Sequence, residues 1–102
     1  MSGDPGGGLL RALLAGAVAA GVERPELVEM TSRDWASATF TGARHAIRLR
    51  AGDGDSLAAW LDGLDAAAIG LRGQMVVDVA VMAVERRAGA AEVTVAALTV
   101  ET

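Results

Sequence analysis

Apolar residues recur at helical spacing in two segments of the chain, which predicts helices over about residues 8–20 and 56–68. The two apolar stripes are Leu9, Leu13, Ala17 and Ala20, then Leu57, Trp60, Leu61, Leu64 and Ala68. Gly21 is suited to a helix C-terminus, and Asp55 or Ser56 is suited to an N-cap. Because the first helix carries a single charged residue, we expect most of its surface to be buried.

Elsewhere apolar and polar residues alternate, which is typical of β-strands that are buried on one face. The predicted strands cover residues 27–30, 32–40, 44–51, 74–85 and 91–101. A tight turn is predicted at residues 88–89, between the last two strands. With that turn, Val84 lies opposite Val93, and Asp78 lies opposite Thr99.

The first hairpin is predicted to turn through a two-residue loop at residues 42–43. The alternative is a four-residue loop, which gives the same pairing of the two strands. Either loop places Phe40 opposite His45 on the inward face. Arg48 and Arg50 then point outward. Trp35 lies opposite Arg50, where a guanidinium can stack on the indole.

The order of elements is one helix, three strands, one helix and two strands, which predicts an α+β fold. We expect an antiparallel sheet of four to five strands with two helices on one face, in a single domain over residues 9–102. Residues 1–8 are glycine-rich and predict a disordered tail. In its order of elements the chain resembles the small acidic bacterial secretion chaperones. That resemblance implies a homodimer and carries no individual residues.

Both faces of the last hairpin are mainly apolar, so two helices on one side would leave the other side uncovered. The uncovered face is predicted to carry Val76, Ala80, Met82, Val84, Val93 and Val95. An exposed apolar patch of this kind is typical of a protein–protein interface. The sequence therefore predicts a small homodimeric module with a non-enzymatic, adaptor-like interaction function.

Asp78 is the charged residue on that face, and burying an unpaired carboxylate is costly. The favoured interpretation is an ion pair with Arg48 or Arg50, and the alternative is an acid that lines a pocket. The candidate binding residues are Trp35, Arg48, Arg50 and Asp78. They support a second hypothesis, in which the domain binds a small anionic ligand or an acidic protein segment.

Composition narrows the chemistry that the chain can carry out. The 102 residues include no cysteine, which excludes disulfides and thiol chemistry. The single histidine, His45, has no obvious partners among the scattered carboxylates, so we expect no metal site and no cofactor. No nucleophile, base and orienting group follow a recognisable catalytic spacing, so we do not expect an enzyme.

The net charge of −4 argues against nucleic acid as a partner, since binding to phosphates requires a basic surface. No apolar run approaches the roughly 20 residues that span a bilayer, and the first residues lack the features of a signal peptide. We therefore expect a cytoplasmic protein without a membrane partner. The abundance of alanine, glycine and arginine, with no lysine, suggests a GC-rich bacterial genome.

Overall fold

The computed structural model describes residues 5–64 and 69–102. The helices are α1 (Pro5–Ala19) and α2 (Asp55–Leu64), and the strands are β1 (Glu26–Ala36), β2 (Thr41–Gly52), β3 (Gly70–Leu71), β4 (Gln74–Arg87) and β5 (Ala90–Glu101). All paired strands are antiparallel, and they lie in the order β1-β2-β5-β4-β3. The predicted α+β fold, with an antiparallel sheet and two helices, is confirmed.

β1 is one long strand where two short strands were predicted. The chain stays extended through Thr31, a β-branched residue that favours strands, and a bulge at Val28 interrupts the pairing with β2. The segment after α2, predicted as a break, contains the two-residue strand β3. The order is therefore helix, two strands, helix, three strands. The resemblance to secretion chaperones depended on three strands before the second helix, and the structure does not support it.

The turn of the first hairpin lies at residues 37–40 and not at the predicted glycine. The Ser37 hydroxyl accepts a hydrogen bond from the Phe40 amide at 3.0 Å, and the Ser37 amide donates to the Phe40 carbonyl oxygen at 2.8 Å. A serine side chain that bonds to the turn backbone in this way stabilises the turn. The register of β1 shifts as a result, and His45 lies opposite Ser32 instead of Phe40.

The second hairpin turns at residues 88–89, as predicted. Both residues have positive φ angles, 53° and 80°, which are typical of a type I′ turn whose twist matches the flanking strands. Val84 lies opposite Val93, also as predicted. Further along, β4 has bulges at Met82 and Val77. The bulge at Met82 shifts the register, and Asp78 therefore lies opposite Leu98, one residue away from its predicted partner.

The core joins both helices to one face of the sheet. Its fully buried large apolar side chains are Leu9, Leu13, Ile47, Leu49, Leu57, Val93 and Val95. α1 contributes a single buried stripe, and Val18 on its outer side is 62% exposed. The expectation that most of α1 is buried was wrong. The alanines and glycines on its outer side have little apolar area to bury.

Both helices begin close to their predicted positions. Proline is tolerated in the first turn of a helix because its missing N–H has no intrahelical partner there. α1 accordingly starts at Pro5, so residues 5–8 belong to the helix and not to a disordered tail, and residues 1–4 lie outside the described part. α2 starts at Asp55, and the last predicted turn, residues 65–68, also lies outside it. No described helix has the length and apolar content needed to cross a membrane.

α1 is followed by a cap at Gly21, the residue that the sequence predicts for its C-terminus. The Gly21 amide donates to the Val18 carbonyl at 3.0 Å, and the Val22 amide donates to the Ala17 carbonyl at 2.9 Å. This pair of bonds is a Schellman motif, which requires the positive φ of 89° that glycine adopts readily. Val22 and Ala17 are both buried, which supplies the apolar contact that usually accompanies the motif.

Candidate interaction surface on the sheet

The face of the sheet opposite the helices is open among the described residues. Side chains alternate between faces along a strand, and the buried residues of β2 and β5 are the odd-numbered ones from Ala43 and Ala91 onward, together with Val100 at the end of β5. The even-numbered residues between them point away from the core. We call this second surface the open face, and the strand register divides it into five rows that run across β1, β2, β5 and β4.

Small side chains occupy the middle of the open face. The central row, here the alanine row, consists of Thr31, Ala46, Ala96 and Ala80. No bulky group stands on these positions, so a second surface can approach the backbone closely at this point. Stacked sheets lie about 10 Å apart, and small residues at the contact favour a shorter distance between the two sheets.

Two arginines without acidic partners lie next to the alanine row. The adjoining row, the arginine row, consists of Arg33, Arg44, Leu98 and Asp78. Arg33 and Arg44 lie directly opposite each other, and both are exposed. Neither forms an ion pair with any residue in the described ranges. Like charges in directly opposed positions destabilise a sheet, so this arrangement needs a compensating reason.

Asp78 lies at the other end of the arginine row, exposed and without an ion pair in the described part of the chain. The predicted pair between Asp78 and Arg48 or Arg50 is not formed. Arg48 lies opposite Thr94, whereas Asp78 lies opposite Leu98, and four residues along a strand separate the two by about 13 Å. Asp78 is therefore exposed, and no described residue neutralises it.

Trp35 covers a glycine at the edge of the open face. The outer row, the tryptophan row, consists of Trp35, Gly42, Val100 and Met75. A Cβ added at Gly42 would lie 3.0 Å from Trp35 Nε1 and would collide with the Thr99 carbonyl oxygen, so the indole lies close against the glycine backbone. Trp35 Nε1 is buried and has no hydrogen-bond partner among the described residues. Met75, at the end of the row, is 52% exposed.

Glutamates neutralise the two arginines that the sequence had singled out. The two remaining rows, the charged rows, are Glu29, Arg48, Thr94 and Ala83, then Glu26, Arg50, Glu92 and Glu85. Arg48 bonds to Glu29 at 2.9 Å, and its Nε lies 3.3 Å from Glu92 without hydrogen-bond geometry. Arg50 lies 3.4 Å from Glu92 and 3.7 Å from Glu26. Each arginine thus has acidic neighbours on both sides.

The structure does not bring the four predicted binding residues together. Trp35 lies in one outer row and Arg50 in the other, because the turn at residues 37–40 moves Trp35 opposite Gly42. Sequence reasoning missed Arg33, which becomes a neighbour of Arg44 only in the observed register. A prediction of the turn at Ser37, whose side chain favours turns, would have placed Arg33 opposite Arg44.

Most of the predicted interface residues belong to the core and not to an uncovered surface. Val93 and Val95 are 1% and 0% exposed, and Val76 and Val84 pack against the buried cluster beneath the helices. The remaining two lie elsewhere, with Ala80 in the alanine row and Met82, at a bulge in β4, 65% exposed. The uncovered face is therefore the opposite one from the face predicted, since both faces of β4 are apolar and the pattern alone does not say which one the helices cover.

His45 faces inward, as predicted, and both of its ring nitrogens contact hydroxyl groups. Nδ1 lies 2.8 Å from Ser32 Oγ, and Nε2 lies 2.9 Å from Thr99 Oγ1. Thr99 Oγ1 donates to the Ala43 carbonyl, so it accepts from Nε2–H, and Nδ1 then accepts from the Ser32 hydroxyl. This arrangement satisfies a buried histidine, and it also resembles the contact between a base and a serine nucleophile.

No group of three or more side chains that ligate metals occurs within the described residues. The open face thus combines small apolar residues with charged side chains.

Fold and surface together define a small α+β domain with helices on one sheet face and an uncovered second face. No family model matches the chain, and no curated protein matches it. A solved structure with a similar fold is the type 4 fimbrial biogenesis protein PilO from Pseudomonas aeruginosa, with 17% identity and a TM-score of 0.49. The match covers 95% of this chain and 70% of that one. A likeness at this level carries no argument about function.

Proposed function

We propose that the chain is a non-enzymatic interaction module that forms a homodimer through the open face of its sheet. The observations that support this proposal are the uncovered alanine row and the exposed apolar side chains of β4, which are Met75, Val77 and Met82. Exposed apolar surface of this kind is typical of protein–protein interfaces. A second copy of the chain can cover the open face without any other kind of molecule.

The open face is large enough for a modest dimer. The four strands are spaced by about 4.8 Å, and each is about 27 Å long between the outer rows. The flat area of the open face is therefore on the order of 500 Å² per copy, without the added surface of the projecting side chains. Specific interfaces bury roughly 800 Å² per partner, and transient ones bury less. We therefore expect a reversible dimer whose population depends on protein concentration.

Substitution of Ala46 by arginine tests this function directly. Ala46 is exposed at the centre of the alanine row, so a long charged side chain there separates two stacked sheets without disturbing the core. We expect A46R to elute as a monomer at concentrations where the parent chain is dimeric. The same substitution at Ala59, on the exposed side of α2, is the matched control and should leave the dimer intact. Equal behaviour of the two variants would contradict the proposal.

A second candidate function is the binding of an anionic ligand or an acidic segment at Arg33 and Arg44. Two adjacent guanidinium groups with no acidic partner among the described residues suit a carboxylate or phosphate, which they can bind in a forked geometry. We expect a small rise in melting temperature with dicarboxylates or inorganic phosphate, and its loss in the R33A/R44A variant. R48A should keep the response, because Arg48 already contacts two glutamates. A response that survives R33A/R44A would exclude this site.

A further inference from the structure

The proposed dimer has two simple symmetric arrangements. A homodimer interface is two-fold symmetric, and stacked sheets keep their strands within about 30° of each other. The two-fold axis therefore runs either across the strands or along them. The five rows of the open face give different contacts in the two cases, and these contacts decide between them. This inference rests on the proposed function.

An axis across the strands places unlike surfaces together. The rows of the partner then run in the reverse order, and each strand faces the same strand of the partner. Arg33 then faces the partner's Glu29, an opposite charge, but Arg44 faces the partner's Arg48. Trp35 faces the partner's Glu26. Met75, which is exposed and apolar, faces an acidic position of the partner. Like charges across an interface are costly, and apolar groups gain little from charged neighbours.

An axis along the strands, between β2 and β5, matches the rows well. Each row then faces the same row of the partner. The order of the strands is reversed, so that β1 faces the partner's β4 and β2 faces the partner's β5. Arg33 then faces the partner's Asp78, and Trp35 faces the partner's Met75. The alanine row stacks on itself. Every such contact occurs twice in the dimer because of the symmetry.

The charged rows also favour this axis, with one exception. Arg50 faces the partner's Glu92, an opposite charge. Glu26 faces the partner's Glu85, which is a like-charge contact at the rim. Both glutamates are exposed, and Arg50 lies 3.7 Å from Glu26, so solvent and a neighbouring cation reduce the repulsion.

We infer that two copies of the chain stack their open faces about a two-fold axis parallel to the strands, and that Arg33 of each copy pairs with Asp78 of the other. Two observations that the isolated chain leaves unexplained follow from this pairing. Arg33 lies beside Arg44 without an acid within the described residues because its acid belongs to the partner. Asp78 interrupts an apolar strand with no cation near it in the described part of the chain, because its cation belongs to the partner as well.

Charge reversal tests this arrangement. R33D places two aspartates together, and D78R places two arginines together, so each should weaken the dimer. Removal of one member of a close interfacial charge pair weakens binding by roughly 30-fold or more, and reversal should do at least as much. The double variant R33D/D78R restores the pair in the opposite sense, and its dimer should return towards the parent affinity in sedimentation velocity measurements.

Each outcome has a distinct meaning. Arg33 and Asp78 are exposed, so the variants should fold, and circular dichroism checks this. R11D, on the exposed side of α1, changes the net charge equally and should leave the dimer unchanged. A dimer that ignores both reversals, or is not rescued in R33D/D78R, overturns this arrangement but not the proposed function. Rescue of R33D by E29R would assign the axis across the strands. A monomeric parent chain would overturn both.

Discussion

Single residues determine whether the open face keeps its shape, and Gly42 has the largest effect. The sequence placed this glycine in a turn, where glycine is common, but its function in the fold is close packing. A Cβ at this position would meet both the Thr99 carbonyl oxygen and the Trp35 indole. A residue opposite a glycine is often aromatic in sheets, because the ring covers the exposed backbone.

Substitution of Gly42 by alanine should destabilise the protein by about 2 kcal/mol, the usual cost of forcing an extra carbon into a packed site. The added Cβ would meet a backbone oxygen, which cannot move aside as a flexible side chain can. Thermal or urea unfolding measures this loss.

Gly63 provides a control, because its substitution by alanine should change the stability in the opposite direction. It lies exposed in α2 with no atom near an added Cβ, and alanine is favoured over glycine in helices by up to about 1 kcal/mol. G63A should therefore raise the free energy of unfolding. If G42A were as stable as the parent chain, the packing of Trp35 on Gly42 would be wrong.

His45 shows what sequence reasoning can and cannot find at this scale. The alternation of β2 correctly predicted that the ring faces inward, since that depends on β2 alone. Its partners Ser32 and Thr99 come from β1 and β5, and they depend on the register of two hairpins. The contact between Ser32 and His45 therefore had no signal in the spacing of the residues.

Ser32 should act as a structural partner of His45 and not as a nucleophile, if the chain is not an enzyme as proposed. S32A leaves the Nδ1 acceptor without this donor and should cost about 1 kcal/mol of stability. S32T retains the hydroxyl and should cost less. Mass spectrometry after treatment with a fluorophosphonate probe should show no adduct on the parent chain. An adduct on Ser32 would indicate an activated serine and would contradict a non-enzymatic function.

At the scale of elements, the sequence predicted most of the fold. Both helices, the strands β2, β4 and β5, and the turn at residues 88–89 follow from periodicity and turn chemistry. The position of the first turn did not, because Gly42 and Ser37 both offer turn signals only a few residues apart. The bulges in β4 also had no signal, and they shift the register of Asp78.

The position of the first turn and the choice of the covered sheet face account for most errors in the candidate site. The register of β1 decides that Trp35 lies near Arg44 and far from Arg50. The packing of the helices decides which apolar face of β4 is covered, and the pattern of a strand that is apolar on both sides leaves that choice open. The uncovered face among the described residues is therefore the opposite face of the sheet.

At the scale of the whole molecule, the two faces of the sheet have different compositions. The face under the helices is aliphatic, whereas the open face combines small apolar residues with charges of both signs. Charges of both signs on an apolar surface favour a specific partner over unspecific aggregation, since a wrong alignment brings like charges together. A self-complementary alignment of the five rows is consistent with such a surface.

Sedimentation equilibrium of the unmodified chain tests the central claim most directly, because it measures mass in solution without a label or a substitution. We predict that the apparent mass rises with concentration through the micromolar range, from the 10.3 kDa of one chain towards twice that value. An apparent mass that stays at 10.3 kDa at every concentration would contradict the proposed dimer.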